Sequence, residues 1–223
     1  MQMNSFRARL AWTHPAKFNL QGLGGATLLC LLLLAGCAAP PVQTQVEAPP
    51  GWTQQQLALR EVTHWQVSGK LGVRQDNRSD SAVINQWVQQ DLRFDINLSS
   101  PVFGLGATSI QGTPEAIWFT RSGERPVYSE NPEGLIQQQV GWSLPISHLL
   151  YWVKGIPAPG PFQDMLFDQS GNLYQLEQAG WSITYESYHS TSPYALPRKI
   201  VLRRDNVRLT FIIHNWDLTN PLS

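Results

Sequence analysis

Apolar and polar residues alternate with a period of two over several segments of this 223-residue chain. The clearest segments are residues 65–74, 92–99, 181–186 and 207–214, and in the last only Ile212 breaks the pattern. A strand places successive side chains on opposite faces, so this period predicts antiparallel strands with one apolar and one solvated face. With the weaker segments included, we expect about nine to eleven strands.

Turn-forming residues separate the alternating segments. The turns are Asp76-Asn77-Arg78, Gln169-Ser170-Gly171-Asn172, Ala179-Gly180 and Arg204-Asp205-Asn206. Asn, Asp and Gly tolerate the backbone angles of tight turns, so neighbouring strands are joined directly. Such short connections predict a meandering antiparallel sheet, which must curl to cover its apolar face.

The middle of the chain changes to a helical pattern. Asn131-Pro132-Glu133 is typical of a helix start and predicts a helix that continues through residues 134–140. Ser143-Leu144-Pro145 predicts a second helix, residues 146–154, which ends before Gly155. Two short apolar helices between two groups of strands predict a mainly β (α+β) fold, in which the helices lie over the open mouth of the curled sheet.

The first 36 residues have the composition of a cleaved export signal. A basic start precedes a charge-free run from Leu20 to Leu34. The run is shorter than the roughly 20 residues that a membrane-spanning helix needs. Leu34, Ala35 and Gly36 stand directly before Cys37 and resemble a lipobox, the site at which bacterial lipoprotein precursors are lipidated and cut. We therefore predict Cys37 as the lipidated N-terminus of the mature chain; an ordinary signal with an incidental cysteine is the alternative.

The predicted mature chain begins with a tether. Residues 38–51 are rich in Ala, Pro and Gln and predict a semi-extended linker that forms no core. A short polar helix over residues 53–61 follows, with Thr53 as its expected N-cap. No second linker interrupts the rest, so we predict one domain over residues 52–223.

Charge and cysteine content exclude several functions. The predicted mature chain carries 13 Lys and Arg against 16 Asp and Glu, without a polybasic stretch. Neither nucleic acid nor an anionic lipid surface is therefore an expected electrostatic partner. Cys30 lies in the predicted signal and Cys37 carries lipid, so we expect no disulfide, cysteine nucleophile or cysteine metal site.

Candidate catalytic residues are few. No histidine has a second His or a carboxylate at metal-ligand spacing, and no Gly-x-Ser-x-Gly motif occurs. His148 is expected to be a capped or interfacial residue. Asp164 and Asp168 stand four apart, on a predicted loop and strand where they would not converge as an acid/base pair. We therefore expect no enzyme, no cofactor and no metal.

Large aromatic side chains are the remaining signal. Eight tryptophans fall within the predicted mature chain. A curled sheet, short apolar helices and many large rings fit a filled core, and they fit equally the wall of an apolar cavity.

Six segments agree, in order, with the pattern of one known family. They are Trp65–Arg74, Gln86-Trp87, Ser100–Ala107, Gly141–Gly160, Leu176–Tyr185 and Ile213–Trp216. The most specific is Gly141–Gly160, where several Trp, Gly and Pro positions match within twenty residues. Together the segments resemble the LolB family of outer-membrane lipoprotein receptors. One loop departs from it: the family loop usually reads Pro-Leu-Gly, whereas Val102 and Phe103 stand between Pro101 and Gly104 here.

The resemblance implies both an architecture and a function. It implies an open antiparallel half-barrel with helices over a hydrophobic cavity. It implies a monomeric receptor that accepts the acyl chains of client lipoproteins from LolA, the periplasmic carrier, and inserts the lipoproteins into the outer membrane without nucleotide hydrolysis. The receptor would be anchored in the outer membrane through Cys37 and would face the periplasm. Ala38, directly after that cysteine, fits outer-membrane sorting.

The resemblance also directs us to particular residues. For the wall of an acyl cavity of roughly several hundred Å³ we predict apolar side chains of strands and of the second helix. They are Trp87, Phe94, Trp118, Leu149, Trp152 and Trp181. For a membrane-inserting loop we predict Val102, Phe103 and Leu105. Two alternatives remain open: a structural lipoprotein of an outer-membrane assembly complex, with a solid core, and a lipid-anchored cell-wall hydrolase.

Overall fold

The architecture is seen in a computed structural model, which describes residues 44–100, 106–190 and 194–218. Its helices are α1 (Trp52–Glu61), α2 (Pro132–Val140) and α3 (Ile146–Trp152). Its strands are β1 (His64–Gln75), β2 (Arg78–Gln90), β3 (Arg93–Ser100), β4 (Gly106–Gly112), β5 (Ile117–Arg121), β6 (Val127–Ser129), β7 (Asp164–Phe167), β8 (Leu173–Gln178), β9 (Trp181–His189), β10 (Leu196–Arg204) and β11 (Val207–Asp217).

The eleven strands form one antiparallel sheet in the order β6-β5-β4-β3-β2-β1-β11-β10-β9-β8-β7. Strands β1 to β6 form one meander and strands β7 to β11 form another, and the two meanders join where β1 pairs with β11. Within the described residues, β6 and β7 are the two edges and do not pair with each other. The predicted curled, unclosed antiparallel sheet is therefore confirmed.

Residues that alternate between apolar and polar in the sequence alternate between buried and solvent-facing positions in the strands. In β1 the residues Trp65, Val67, Gly69, Leu71 and Val73 are buried, whereas the residues that alternate with them, such as Lys70, are exposed or half-buried. A residue larger than glycine would not fit at Gly69, because an added Cβ would lie 2.1 Å from the Ile212 carbonyl oxygen of β11. The tight approach sits at a bulge in the β1–β11 register.

Three of the predicted boundaries are wrong. Leu92 belongs to the β2–β3 turn and is exposed, because the buried face of β3 begins at Phe94. Helix α1 begins one residue earlier than predicted, with Gly51 in left-handed conformation at its N-cap and no capping side chain, so Thr53 is not the cap. Helix α3 ends at Trp152, and its last predicted residues, 153 and 154, form a turn.

Helix α2 starts as its sequence predicts. The Asn131 side chain accepts a hydrogen bond from the Gly134 backbone N–H at 3.0 Å, and Pro132 occupies the first turn, where no N–H is needed. The helix ends at Gly141, whose φ of 84° suits glycine. Among the described residues, no helix is both long enough and apolar enough to cross a membrane.

The second half of the predicted tether belongs to the folded domain. Gln45 and Phe167 exchange two backbone hydrogen bonds of 2.9 and 2.8 Å, which extends the sheet at its β7 edge. Trp52 packs edge-on against Phe167 with 4.9 Å between ring centroids. A partner strand covers an edge that would otherwise offer free hydrogen-bonding groups. The prediction of a free linker as far as Gly51 is therefore wrong from Gln45 onward.

Candidate functional site

An apolar cavity lies between the sheet and the two central helices. Strands β1 to β5 and β11 line one side of it, and α2, α3 and the segment between them line the other. The apolar lining side chains are Leu71, Ala82, Ile84, Trp87, Ile96, Leu98, Ile110, Phe119, Ile136, Val140, Trp142, Leu144, Ile146, Leu149 and Phe211. Ser100, Gly106 and Thr108 complete the wall at the ends of β3 and β4. The arrangement suits an alkyl chain and provides no charged group for one to avoid.

The cavity is narrow. The space between the side chains amounts to about 720 Å³, part of it open to solvent, but the cavity that a water molecule can enter has a volume of only about 50 Å³. Most of the free space therefore consists of thin gaps between side chains. On the same measure, one water needs roughly 10–15 Å³, so the cavity as it stands holds a few waters and no long acyl chain. The expected volume of several hundred Å³ is not present in this conformation.

Two of the six predicted lining residues, Trp87 and Leu149, contribute to this cavity. The indole N–H of Trp87 has no partner among the described residues, and the same holds for Trp142, which sequence reasoning missed. Both side chains are buried. The apolar wall thus contains two hydrogen-bond donors that the protein itself leaves unused.

Phe94 and Trp118 lie outside the cavity and line a separate groove of the sheet. Trp118 is 50% exposed and packs on Tyr128 of the edge strand with 5.0 Å between ring centroids. Ile117 and Phe119, its neighbours, are the buried residues of β5. Three consecutive apolar residues leave the strand's inward face undetermined from sequence, and the prediction chose the wrong face.

Trp152 and Trp181 are buried core residues that also lie outside the cavity. The Trp152 indole N–H donates to Gln178 Oε1 at 2.8 Å, and the Tyr185 hydroxyl donates to the Trp152 carbonyl at 3.0 Å. Burial raises the pKa of the Tyr185 hydroxyl well above its ordinary value, so it remains a donor. Trp181 is buried, with the Arg204 guanidinium 5.9 Å from its ring centroid.

The remaining lining residues carried a signal that the sequence prediction did not use. Ile84, Ile96, Ile110 and Phe119 occupy buried positions of their strands, and Ile136 is buried on α2. The prediction chose tryptophans because of their large aromatic rings and passed over the aliphatic side chains at other alternating positions. The cavity wall is in fact mainly aliphatic.

The two aspartates considered for catalysis are separated in the fold. Asp168 Oδ1 accepts backbone hydrogen bonds from Ser170 at 2.8 Å and Asn172 at 2.9 Å, which fixes the β7–β8 turn. Asp164 is exposed at the start of β7. In the described ranges, no group of three His, Cys, Asp or Glu side chains could hold a metal ion.

His148 packs against other side chains, as an interfacial residue would. Its ring lies 5.3 Å from that of Trp152, and its Nδ1 is 3.2 Å from Ser147 Oγ. Burial lowers the pKa of the His148 imidazole, partly offset by the charge of Glu133. At neutral pH the ring is therefore uncharged.

The predicted lipobox, Cys37 and the loop residues Val102, Phe103 and Leu105 lie outside the described residues. The two residues that flank the loop are described, however. Ser100 and Gly106 pair with each other across β3 and β4, and both line the apolar cavity. The loop therefore starts and ends at the wall of this cavity.

An unclosed antiparallel sheet with short helices over an apolar cavity defines the fold class of this protein. A solved putative outer membrane lipoprotein-sorting protein domain from Vibrio parahaemolyticus has this fold, with a TM-score of 0.52 over 77% of this chain and 92% of that one. At 7% identity the likeness concerns the fold alone.

The sequence comparisons identify the family. The family model "Outer membrane lipoprotein LolB" matches residues 63–216. The outer-membrane lipoprotein LolB of Stutzerimonas stutzeri is 39% identical over 191 residues, which cover 84% of this chain and 92% of that protein. That of Cellvibrio japonicus is 38% identical over 202 residues, which cover 86% and 97%. The chain belongs to the LolB family, and its role lies in outer-membrane lipoprotein localisation.

Proposed function

We propose that this protein accepts the acyl chains of lipoproteins from a LolA-like periplasmic carrier and passes the lipoproteins into the outer membrane. The observation that carries the proposal is the apolar cavity beneath α2 and α3, whose wall has no charged side chain. The family assignment supports the lipoprotein as the cargo.

The energetics of the cargo explain why such a cavity is useful. A sixteen-carbon acyl chain exposed to water costs on the order of 10 kcal/mol, at about 0.8 kcal/mol per CH₂. Transfer between two apolar cavities avoids this exposure and needs no nucleotide. A receiver that binds tenfold tighter than the donor needs an advantage of only about 1.4 kcal/mol.

Binding requires the cavity to widen. The C-terminal end of α3 is held by the hydrogen bonds of Trp152, so the parts free to move are α2 and the N-terminal end of α3. Arg121 links α2 to the sheet by a single hydrogen bond to the backbone, donating to the Gln139 carbonyl at 3.2 Å, one residue before the cavity-lining Val140. We therefore propose that α2 and the N-terminal end of α3 move away from the sheet when an acyl chain enters.

The unused indole donors of Trp87 and Trp142 suit the polar end of the cargo. An acyl chain is attached through an ester or amide, whose carbonyl oxygen accepts hydrogen bonds. Burying that carbonyl in an apolar cavity without a donor would cost free energy. Either indole can supply the donor without breaking an existing hydrogen bond within the described residues.

For delivery we propose the loop that contains Val102, Phe103 and Leu105, together with lipid attachment at Cys37 and an orientation that faces the periplasm. Because the loop joins two cavity-lining residues, Ser100 and Gly106, an apolar loop that contacts the bilayer would bring the lipid next to the cavity. Apolar side chains at a membrane contact have this evident use.

The test distinguishes the role of the lipid anchor from that of the apolar cavity. In Cys37→Ala, we expect a soluble protein with wild-type stability that still takes a fluorescently labelled lipoprotein from the purified carrier, while delivery to the outer membrane is less faithful. Cys30→Ala is the matched control, because Cys30 lies in the predicted signal; it should be lipidated and active like the wild type. A Cys37→Ala protein that folds but takes no lipoprotein would contradict the proposal.

One observation favours the structural alternative. The narrow cavity is close to the solid core expected of a structural lipoprotein in an outer-membrane assembly complex. The two proposals differ in binding: the receptor takes up a free fatty acid or a fluorescent apolar probe at this cavity, whereas a purely structural subunit does not.

A further inference from the structure

A second cleft, separate from the apolar cavity, lies where α1, the β2–β3 turn and the end of α3 meet. It offers about 230 Å³, and no residue lines both spaces. Consecutive residues of α3 divide between them: Leu149 lines the cavity and Leu150 lines the cleft. Unlike the cavity, the cleft combines an apolar wall of Trp65 and Leu150 with polar and charged side chains.

Lys154 is the most unusual of these side chains, because it is a buried cation without a counter-ion. It is 5% exposed, and its Nζ donates one hydrogen bond, to the Val62 carbonyl at 3.0 Å. An ammonium has three donors, and among the described residues no carboxylate lies within ion-pair distance of this one. Its Nζ also lies 5.6 Å from the centroid of the Tyr151 ring, but a buried charge without a counter-ion is costly and calls for an explanation.

A second cation stands beside it. Arg60 at the end of α1 lines the same cleft, and its Nε is buried without a partner within the described chain. Burial and the Arg60 charge lower the pKa of the Lys154 ammonium to about 8, while the Glu61 charge raises it. Two like charges are therefore held close together, although each would be more stable alone in water.

The opposite wall supplies an acceptor. Gln89 is 3% exposed, and its Nε2 donates to the Asp91 carbonyl at 2.6 Å. Its Oε1 has no partner among the described residues. The carboxylate of Asp91 also lines the cleft, but it is exposed and accepts from Thr63 Oγ1 at 3.1 Å. A ligand that pairs with both cations and with the free acceptor of Gln89 is an anion that also carries a hydrogen-bond donor.

We propose that this cleft binds a phosphomonoester group. Lys154 and Arg60 donate to its anionic oxygens, and Gln89 Oε1 accepts from its protonated oxygen. Inorganic phosphate keeps at least one proton at neutral pH and a phosphomonoester keeps one in its monoanionic form, below a second pKa of about 6, whereas sulfate has none, so Gln89 selects the protonated form. The exposed carboxylates of Glu61 and Asp91 are screened by water and oppose binding weakly. The same chemistry is present in free phosphate and in the headgroup of phosphatidic acid.

The experiment titrates the full-length chain in a non-ionic detergent with inorganic phosphate and with sulfate at pH 7, by calorimetry. We expect the wild type to prefer phosphate by about fivefold or more, and Lys154→Met to weaken phosphate binding by about tenfold or more. Lys70→Met is the matched control, since Lys70 is an exposed lysine of β1 and its loss changes the net charge equally. That variant should bind within about twofold of the wild type.

Gln89→Met tests the selectivity separately. It should lower the affinity for phosphate to that for sulfate and leave sulfate binding unchanged. Thermal unfolding of each variant checks the fold, and Arg60→Gln replaces Lys154→Met if the latter does not fold. Titration with dihexanoyl phosphatidic acid below its micelle concentration distinguishes the sources: binding about tenfold tighter than phosphate assigns a lipid headgroup, and equal binding assigns a free phosphomonoester.

Three outcomes would overturn the proposal: no phosphate binding by the wild type, equal weakening by Lys154→Met and Lys70→Met, or an undiminished preference in Gln89→Met. In each case the polar groups of the cleft would be satisfied by water, and Lys154 would serve only to hold Val62.

Discussion

The two ends of α3 are built on different principles. At the C-terminal end, the Gln178 side chain accepts from the Trp152 indole and from the Ala158 backbone N–H at 2.8 and 2.9 Å, and donates to the Ala158 carbonyl at 2.9 Å. At the N-terminal end, Pro145 provides no capping side chain. Ile146 is an apolar lining residue of the narrow cavity that separates this end from the sheet.

The difference teaches how one small helix can be both fixed and movable. Buried hydrogen bonds are directional, and breaking one without replacement leaves unsatisfied groups, so the Gln178 end has a single favourable position. Apolar contacts are not directional, so the Ile146 end can exchange contact with the sheet for contact with an acyl chain at little net cost. The fixed end would then act as the pivot for an opening at the other.

The largest expected effect is at the fixed end. Trp152→Asp should lower the free energy of unfolding by more than about 4 kcal/mol, because it removes a buried ring and places a carboxylate in its space. Acyl binding should fall only as far as the protein unfolds. Chemical denaturation combined with binding of a fluorescent fatty acid measures both quantities.

Trp152→Phe is the control for ring volume. It keeps most of the apolar contact and removes the donor to Gln178, so we expect a loss of about 1–3 kcal/mol with unchanged acyl binding by the folded protein. If instead Trp152→Asp remains stably folded while acyl binding disappears, then Trp152 belongs to the binding site and the comparison between the two ends fails.

An intermediate effect, on acyl binding as well as stability, is expected in the cavity that the movable end of α3 lines. Ala82 is a small residue of the cavity wall. Ala82→Leu adds three carbons to the thin gaps there, so it should lower the free energy of unfolding by about 1–3 kcal/mol. Acyl affinity should fall about tenfold, equivalent to about 1.4 kcal/mol, because the chain must displace the added group.

The matched variant is Ala158→Leu, which makes the same change at a buried alanine beside Gln178. It should destabilise the fold more than Ala82→Leu does, and the acyl affinity of its folded fraction should not change. Equal acyl affinity for wild type and Ala82→Leu would place the acyl chain outside this cavity.

The sheet was largely predictable from the sequence, because strand alternation reports burial directly. In β1 and β11 the apolar side chains of one face pack into the core, so the alternation in the sequence identifies the buried positions. The start of α2 was predictable for a local reason, since Asn131 and Pro132 act within one turn of the chain. The Gly51 cap of α1 was not predicted, because backbone conformation alone begins that helix and the nearby Thr53 is the stronger sequence signal for a cap.

The cavity was less predictable, because lining it depends on contacts between distant segments. Trp152 has the helical spacing of an inward residue, yet its environment is decided by Gln178, 26 positions further along the chain. The same holds for Gln89 and Lys154, which are ordinary polar residues in the sequence and become neighbours in a cleft only through the fold. Nor does composition report the width of a cavity, which depends on how closely the helices approach the sheet.

The smallest effect on stability is expected at the loop that joins the two cavity-lining residues Ser100 and Gly106. Changing Val102, Phe103 and Leu105 together to Asn, Glu and Ser should shift the free energy of unfolding by less than about 0.5 kcal/mol if these side chains contact the bilayer rather than the core. Burial of Phe103 or Leu105 in lipid contributes about 1.5–3 kcal/mol each, and that contribution is lost in the variant. Acceptance from the carrier should be intact, while labelled lipoprotein should accumulate on the receptor and fail to enter liposomes. Leu57→Ser combined with Val46→Asn is the control, because both residues are exposed apolar side chains elsewhere on the domain. A triple variant that inserts lipoprotein at the wild-type rate would show that the loop has no part in delivery, whereas one that unfolds would show that the loop packs on the core.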